Sequence, residues 1–481
     1  MTINDLILLI PQLIPIIAGT VLMLLEPFTS KERKSRMALI TVLAAAVAAY
    51  GLKFQWSNYP RIILNRMLII DNFTVFFQWL FLIIVGVSAA LSMRFNERES
   101  INRGEYYALL LFACSGMSLM AASGDLILTF LGIEVLSIAT YILAGFKRSD
   151  IRSNESSLKY FLLGSFATAI LLYGIALIYG GTGSTNYQTI REVSSLQESV
   201  QVTTIIGMGL LLVGLGFKVA LVPFHSWVPD VYEGAPTPVT AFMAVGPKAA
   251  GFAALIRILV QAVPFLAQDW SSILWLLSIL TMTLGNVVAV VQTNVKRMLA
   301  YSAIAHAGYI LIGIVVHNNT GLSAVLFYLV IYTVMNLVAF SVVLSLSGKG
   351  DSRVYLKDYA GLGRKAPFAA AALSLALISL AGIPLTGGFI GKLYLFSAAI
   401  QKGFVGLAII AVLNSVVSVF YYFRLMVFMY MTESGEEALE HEPISWPVLA
   451  LIGMGLILIL LLGIHPDQML ALAGHSSLAL K

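Results

Sequence analysis

Four ionisable side chains lie inside long apolar runs of this sequence. Three are lysines, Lys218, Lys248 and Lys392, and the fourth is Glu134. A charged group in the hydrocarbon of a bilayer costs at least about 2.5–3.5 kcal/mol, so such groups by default mark the path of an ion or a proton. Burial disfavours the charged form of a lysine, and a nearby carboxylate favours it. A lysine whose carboxylate partner can move is therefore able to take up and release a proton.

For any single one of these lysines, a structural role in helix packing remains an alternative to a role in a proton path. A single buried Lys–Glu pair can serve only to hold two helices together. Two further lysines without acid partners are not explained by pairing, so the set of four favours a proton path over a packing role.

Proline stands close to each of the three lysines, at Pro223, Pro247 and Pro384. Proline removes a backbone donor and clashes with the carbonyl four residues earlier, so the sequence predicts a helix break beside each lysine. Backbone groups freed at membrane depth are tolerated only inside the protein or beside water. In transporters, such broken helices surround ion sites.

The composition requires that these residues lie in a membrane protein. The chain has 481 residues, of which 59% are hydrophobic and only 11% are charged, whereas soluble domains have about 25% charged residues. Runs of about 17–25 apolar residues are long enough to cross a bilayer, and the sequence contains fourteen of them. We place them at 5–26, 36–52, 72–93, 106–122, 125–146, 159–180, 203–222, 239–262, 271–291, 299–316, 322–346, 369–400, 404–430 and 446–464.

The basic residues predict the orientation of the spans. Loops after odd-numbered spans carry 18 of the 29 lysines and arginines, including Lys296, and the other side carries seven, including Arg257. Because basic loops stay in the cytoplasm, both termini are expected on the opposite, periplasmic side. The net charge of +5 is then a signal for membrane insertion, and no nucleic acid is needed to explain it.

The spacing of the lysines suggests a repeat. Lys218 and Lys392 lie five spans apart, and a five-helix unit repeated in tandem must insert with opposite orientation. The predicted units are helices 1–3 at 1–105, two inverted repeats at 106–265 and 266–432, and a last helix at 433–481. The repeat pairs the tenth span with the fifth, and the tenth contains His306, either a relay member or a packing histidine. His225 and Tyr301 are further relay candidates.

The sequence gives no sign of redox chemistry. One cysteine, Cys114, cannot form an internal disulfide or hold an iron–sulfur cluster, which needs about four ligands. Only one of the six histidines lies deep in a span, which argues against a bis-histidine haem. No glycine-rich nucleotide loop follows a strand. We therefore expect no cofactor and no metal in this chain.

Four segments carry a resemblance to a known family. They are "GFKVALVPFHSWVPDVYEGAPTPVTAFMAVGPKAAGF", "FLGIEVLSIATYIL", "SLKYFLLGS" and "AGIPLTGGFIGKLYLF". The chain resembles the antiporter-like subunits of respiratory complex I, NADH:quinone oxidoreductase, and is most similar to subunit N, the equivalent of mitochondrial or plastid subunit 2. The resemblance implies an all-α polytopic membrane protein with 14 transmembrane helices and two inverted five-helix repeats, in which helices 7 and 12 are broken.

The resemblance also implies roles for the buried charges. Glu134 matches the helix-5 glutamate that partners the helix-7 lysine, here Lys218. Lys248 matches the connecting lysine of helix 8, and Lys392 matches the terminal lysine of helix 12. The implied function is proton translocation driven by quinone reduction elsewhere in the complex.

The same resemblance implies the surroundings of the chain. NADH, FMN, the iron–sulfur clusters and the quinone would be bound by other subunits. The expected neighbours are the antiporter-like subunit M, the small subunits K, J and A, and lipids of the bacterial inner membrane. Alternatives are a subunit of a multisubunit cation/proton antiporter, the membrane arm of an energy-converting hydrogenase, or a scaffold that conducts nothing.

Overall fold

The chain folds into a bundle of long helices. The computed structural model describes residues 3–57, 60–196, 200–433 and 444–480. The helices are α1 (Ile3–Leu25), α2 (Met37–Leu52), α3 (Asn72–Arg98), α4 (Gly104–Ala122), α5 (Leu126–Ala144), α6 (Ile151–Thr182), α7 (Tyr187–Leu196), α8 (Val202–Val219), α9 (Trp227–Gly234), α10 (Thr237–Arg257), α11 (Ala267–Val291), α12 (Val295–Val316), α13 (Asn319–Leu346), α14 (Leu362–Lys365), α15 (Pro367–Ala381), α16 (Gly387–Gln401), α17 (Val405–Met431), α18 (Trp446–Ile464) and α19 (Asp467–Leu478).

The helix lengths confirm a polytopic membrane protein. Within the described residues, 13 helices are long and apolar enough to cross a membrane, and α15 is a shorter apolar helix. The predicted span at 369–400 is divided between α15 and α16. This arrangement is compatible with the fourteen predicted spans, although residues 434–443 of the predicted last unit lie outside the described part of the chain.

The bundle has two ends that differ in charge, which we call the basic face and the opposite face. The basic face carries Lys147, Arg152 and Arg297, which form ion pairs with loop carboxylates there. The opposite face carries a small antiparallel hairpin of strands β1 (Arg61–Ile63) and β2 (Leu68–Ile70). The loop basic residues thus gather at one end of the bundle, as their distribution in the sequence predicts.

The centre of the bundle is α10, in which every residue from Thr237 to Arg257 is buried. Helices α13, α3, α4 and α8 pack against it, and α12 and α13 are almost as fully enclosed. The outer helices bury one side and expose large apolar side chains on the other, as helices in contact with lipid or a neighbouring subunit do. Lys248 on α10 therefore lies at the core of the protein.

Two of the three predicted helix breaks are present. Helix α8 ends at Val219 and α9 begins only at Trp227, and helix α15 ends at Ala381 before α16 begins at Gly387. Both helices end in the same way: the next residue has a positive φ, 66° at Ala220 and 83° at Gly382. The following N–H then donates to the carbonyl five residues back, as in a Schellman motif.

The third predicted break, beside Lys248, is absent, and that prediction was wrong. Helix α10 runs without interruption through Pro247. A proline leaves the carbonyl four residues earlier without its donor, and here that carbonyl belongs to Met243. The hydroxyl of Tyr232 donates to it at 3.1 Å. A side chain from the preceding helix thus satisfies the freed carbonyl, and the helix continues.

Removal of this hydroxyl should weaken the bundle. In a Tyr232→Phe variant the Met243 carbonyl would be buried without a donor, which costs roughly 1–3 kcal/mol. We expect a lower thermal unfolding temperature of the assembled protein, measured by differential scanning fluorimetry. Tyr50→Phe is the matched control because Tyr50 is 65% exposed. An equal effect of the two substitutions would contradict this account of α10.

Two parts of the bundle have the same backbone connections at opposite faces. Asp125 caps α5 and forms an isolated bridge with Asn186 near β2, while Asn294 caps α12 and forms an isolated bridge with Tyr355 at the basic face. In both cases the bridged residues are 61 positions apart. The flanking N–H groups donate in the same pattern: Leu126 to Thr185 and Tyr187 to Gly124, and Val295 to Val354 and Leu356 to Thr293.

The helix crossings that follow these caps also match. A Cβ atom on Gly116 of α4 would lie 2.6 Å from the backbone nitrogen of Leu136 on α5. A Cβ atom on Gly285 of α11 would lie at the same distance from the backbone nitrogen of Ala305 on α12. Small residues permit such close crossings of membrane helices. Both pairs are 20 positions apart, so α4–α5 and α11–α12 pack by one geometry.

Candidate functional site

Lys218 lies in the last turn of α8, immediately before the helix break. Its side chain is buried, and its Nζ donates to the Oγ of Ser137 on α5 at 2.5 Å. The ammonium also lies over the rings of Tyr141 and Tyr160, 5.5 and 6.0 Å from their centroids. The end of a helix carries a partial negative charge, so the break puts the ammonium where its charge is favoured.

Glu134 lies on α5 one turn before Ser137, within electrostatic reach of Lys218. It does not form a direct ion pair with that lysine, and its Oε1 is buried without a hydrogen-bond partner. The residue is only partly buried. Leu131 and Ile138, which share this side of α5, are 47% and 54% exposed. Glu134 therefore lies at the edge of the bundle. The direct partner of the Lys218 ammonium is the Ser137 hydroxyl and not the expected Glu134 carboxylate.

Lys248 lies in the middle of α10 with its side chain 2% exposed. Its Nζ donates to the backbone carbonyl of Ala303 on α12, and the Tyr332 hydroxyl of α13 lies 3.4 Å away. The Tyr332 ring centroid is 5.3 Å from the ammonium. No carboxylate forms an ion pair with this lysine within the described residues; carbonyl and aromatic groups are its partners instead.

His306 lies between Lys248 and Lys392. Its Nδ1 hydrogen-bonds to the Tyr328 hydroxyl at 2.7 Å and its Nε2 to the Tyr422 hydroxyl at 3.2 Å. Its ring centroid is 5.3 Å from that of Tyr332, which also contacts Lys248. Both ring nitrogens of this histidine thus have partners that can donate or accept a proton.

Lys392 lies one turn into α16, after the second helix break, whereas Lys218 precedes the first. Its Nζ donates to the carbonyl of Ala381, the last residue of α15, at 2.9 Å, and to the Oγ of Ser415 at 2.8 Å. The carbonyl end of α15 therefore takes the place of an acid partner. The two lysines both lie at the carbonyl end of a helix, but they do not occupy equivalent positions in the chain, because Lys218 precedes its helix break and Lys392 follows its own.

An unbroken series of contacts joins two of the three lysines. Tyr332 contacts both Lys248 and His306. Tyr309 lies 5.7 Å from the His306 ring, and the Lys392 ammonium lies 4.8 Å from the Tyr309 centroid. Lys218 packs against α10 near Gly251, one turn beyond Lys248. Within the described residues, the hydrogen bond of Lys218 to Ser137 does not extend to this series.

The two other relay candidates lie away from this series. His225 is half-buried in the turn between α8 and α9, and its Nδ1 has no hydrogen-bond partner. Tyr301 is half-buried, and the Arg297 guanidinium lies 6.0 Å from its ring at the basic face. Neither contacts His306 in the described structure.

The tyrosines that connect the lysines were missed from the sequence. Tyr328 and Tyr332 are four residues apart on α13, and Tyr309 follows His306 by three residues on α12. Residues three or four apart share one side of a helix. This spacing beside a buried histidine is a signal that could have identified the group.

A buried ion pair was also missed, because its arginine was counted among the loop residues. Arg257 of α10 is fully buried and binds Asp71 through two hydrogen bonds of 2.8 and 3.0 Å. The same guanidinium donates to Thr74 Oγ1 at 2.8 Å. Asp71 in turn caps α3 by accepting from the Thr74 N–H. Arg257 is flanked on both sides by apolar sequence, and that pattern indicates burial.

Lys296 at the basic face is a second buried charge that was counted as a loop residue. Its side chain is buried, and its Nζ donates to the Ala235 carbonyl at 2.7 Å and lies 3.4 Å from Asp351. Burial raises the pKa of Asp351, but the Lys296 ammonium and two hydrogen bonds from Thr237 outweigh burial and hold that pKa below its usual value. The pair closes the basic face between α10 and α12.

No metal site is apparent in the part of the chain that the structure describes. Among those residues, His, Cys, Asp and Glu side chains do not form a group of three or more that could hold a metal ion. The ionisable groups of the site are therefore lysines, tyrosines, one histidine and Glu134.

Comparisons with known proteins identify relatives over nearly the whole chain. The family model described as NADH:quinone oxidoreductase/Mrp antiporter, transmembrane, matches residues 123–418. NADH-quinone oxidoreductase subunit N of Trichlorobacter lovleyi is 46% identical over 97% of this chain and 95% of its own length. Subunit N 1 of Solibacter usitatus is 44% identical over 99% of this chain and 98% of its own length.

Solved structures agree with the sequence relatives. A chain of respiratory complex I from Thermus thermophilus is 35% identical and superposes with a TM-score of 0.82, covering 96% of this chain and 99% of its own length. A chain of the Mrp complex from a Dietzia species has a TM-score of 0.87 at 22% identity, covering 100% of this chain and 98% of its own length. The Mrp likeness concerns the fold alone.

Proposed function

Because the chain belongs to the subunit N family of NADH-quinone oxidoreductases, we propose that it carries protons across the membrane along its buried lysines and takes no part in the redox reaction. It is an antiporter-like subunit of the membrane arm of that enzyme complex. The observation that carries the proposal is the series of contacts from Lys248 through Tyr332, His306 and Tyr309 to Lys392.

The lysines in this series are suited to hold a proton without holding it permanently. Lys248 and Lys392 bind backbone carbonyls and hydroxyls, which stabilise the ammonium less than a carboxylate does. Burial opposes the charge. Neither lysine is held in an ion pair with a carboxylate within the described residues, so no paired acid fixes its proton in place. His306 lies in this series by ring contacts, and its own hydrogen-bond partners are the hydroxyls of Tyr328 and Tyr422. It can accept a proton from one of these hydroxyls and donate one to the other.

Lys218 is proposed as the switchable first station, with Glu134 as its control. When the carboxylate of Glu134 approaches, it favours the ammonium form of Lys218; when it retreats, the proton can leave towards Lys248. Ser137 bonds to the ammonium and lies on the same helix as Glu134. Since Glu134 lies at the edge of the bundle, a neighbouring subunit can displace its carboxylate. A water molecule is the bridge that we expect between Lys218 and Lys248. His225 and Tyr301 remain relay candidates at the ends of the path.

We also propose that residues 106–265 and 266–432 are two inverted copies of one unit, with helices 1–3 at 1–105 and a last helix at 433–481. Support comes from the matched bridges of Asp125 and Asn294 at opposite faces and from the matched crossings at Gly116 and Gly285. A repeat of this kind brings two half-channels together at the middle of the membrane, where Lys248 lies.

The surroundings are proposed by the same reasoning. Subunits M, K, J and A are the expected neighbours, and other subunits are expected to bind NADH, FMN, the iron–sulfur clusters and the quinone. The chain is expected in the bacterial inner membrane with both termini on the periplasmic side, because the basic face is the cytoplasmic one. A cation/proton antiporter or hydrogenase arm is not favoured, since relatives at 40–46% identity are subunit N proteins.

Two substitutions of Ser137, one that removes its hydroxyl and one that keeps it, test this proposal. In the assembled complex, Ser137→Ala is expected to slow proton translocation by about tenfold, because a hydrogen bond to a charged group contributes roughly 1.5–3 kcal/mol. The measurement is proton uptake by reconstituted liposomes, normalised to the amount of assembled subunit. Ser137→Thr keeps the hydroxyl and should restore translocation. If the alanine variant translocates at the full rate, Lys218 does not depend on this contact and the proposed switch fails.

A further inference from the structure

A long groove runs along the outside of the bundle between α3, α13 and α18. Its main part is a cavity of about 620 Å³, which lies within the range of roughly 300–1,000 Å³ that ligand sites occupy. Its floor includes Val334 and Leu337 of α13, and its outer edges include Ile83 of α3 and Leu458 of α18, which are 52% and 39% exposed. The groove is therefore open towards the lipid side.

The lining of this groove offers no free hydroxyl group to an occupant. The only hydroxyl groups in its lining belong to Thr333 and Ser341. Thr333 donates to the Leu329 carbonyl at 2.8 Å and Ser341 to the Leu337 carbonyl at 2.5 Å, each on its own helix. Because these hydroxyl groups are already bonded and the rest of the lining is apolar apart from the indoles of Trp56 and Trp79, the groove is complementary to a hydrocarbon chain.

The same three helices continue into a second, charged cavity. This cavity, of about 60 Å³, is lined by Arg94 and Arg98 of α3, Ser345 of α13 and Val448 of α18. Arg94 is exposed. Arg98 is half-buried, donates to Ser347 Oγ at 3.0 Å and forms an ion pair of 3.3 Å with Glu99. Along α3 the two cavities reach from Phe76 to Arg98. At a rise of about 1.5 Å per residue this is roughly 33 Å, close to the hydrocarbon thickness of about 30 Å.

We propose that this groove binds an anionic phospholipid, with an acyl chain along α3, α13 and α18 and the phosphate against Arg94 and Arg98. The apolar lining fits an acyl chain, which would occupy the half of the groove nearest the basic face. The Arg94 guanidinium, with Arg98 beside it, fits an anionic headgroup by charge. Trp79 and Trp56 line the uncharged end. The inner side of α13 carries Tyr328 and Tyr332 of the proton path, so the lipid would pack against the helix that positions them. The lipid site is argued from the groove alone, so it stands whether or not the proposed proton path is correct.

Photolabelling of the intact complex tests this site. The complex is placed in phosphatidylcholine nanodiscs with a phosphatidylglycerol probe that carries a photoactivatable diazirine on one acyl chain. Labelled peptides are mapped by mass spectrometry. We expect labels on groove-lining residues of α3, α13 and α18, and about fivefold less labelling in Arg94→Gln, because one basic residue near the surface favours anionic lipid by about that factor. Arg36→Gln, an exposed arginine at the same face, should leave the labelling unchanged.

A second variant tests the groove without changing a charge. Ile83→Trp fills the open edge of the groove and should lower the labelling by a similar factor, whereas Leu43→Trp, at a 64% exposed position of α2, should not. Equal labelling by a phosphatidylcholine probe would overturn the proposal in favour of ordinary surrounding lipid. It would also be overturned if the groove stayed unlabelled while p-benzoylphenylalanine at position 83 crosslinked to another subunit.

Discussion

Replacing Lys392 by alanine is expected to abolish proton translocation through this subunit while leaving the complex assembled. The ammonium is the only cation at the carbonyl end of α15 in the described structure, and its removal ends the series of contacts that begins at Lys248. Groups that exchange protons typically contribute about 10²–10⁴-fold to a rate, so the rate through this subunit should fall about a hundredfold or more and the uptake by the whole complex should fall by this subunit's share. The loss is measured as proton uptake by reconstituted liposomes, with quinone reduction in detergent as the separate readout.

The fold should tolerate this change. Alanine buries no unpaired charge, and the Ala381 carbonyl keeps the hydrogen bond from Ser415 Oγ at 3.1 Å. Lys402→Ala is the matched control, because Lys402 is an exposed lysine at the end of the same helix. Full translocation by an assembled Lys392→Ala complex would exclude Lys392 from the path.

Replacing Arg257 by methionine is expected to cause the largest loss of stability in the bundle. The change leaves the Asp71 carboxylate buried and unpaired, and breaking a buried pair in this way costs about 3–5 kcal/mol. The same carboxylate caps α3, so the start of that helix is weakened too. The measurement is the amount of subunit in the purified complex together with its thermal unfolding temperature.

Two control variants distinguish the effect of an unpaired Asp71 carboxylate from the effect of lost packing at Arg257. Arg257→Met combined with Asp71→Asn removes both charges and keeps an acceptor for the α3 cap, so most of the lost stability should return. Arg191→Met removes an exposed arginine of α7 and should have little effect. If the double variant is as unstable as the single one, the loss comes from packing and not from an unpaired carboxylate.

The sequence was sufficient for the spans, because apolar length alone identifies them. The helix breaks after Lys218 and before Lys392 could be predicted from proline and glycine. The continuous helix at Pro247 could not, because it depends on a hydroxyl from Tyr232 that is distant in sequence from the carbonyl it satisfies. The local sequence predicts that a carbonyl loses its donor at Pro247, but it does not predict which side chain donates to that carbonyl instead.

The site could be predicted only in part, for a similar reason. Lys218, Lys248 and Lys392 stand out because charge is rare in apolar sequence. Their partners are mainly two serines, tyrosines and backbone carbonyls, which are common in membrane helices and carry no charge. The loop count did not show that Arg257 and Lys296 are buried, because both lie at helix ends, where burial depends on how neighbouring helices pack.

The central claim is that protons pass along these lysines. The most direct measurement is the number of protons translocated for each electron pair delivered to quinone, in liposomes containing the complex with Lys218→Ala. Lys53→Ala, at an exposed position on the opposite face, is the control at equal subunit content. The account predicts fewer protons for each electron pair in the Lys218→Ala complex than in the control. An unchanged ratio in a Lys218→Ala complex of normal abundance would contradict it.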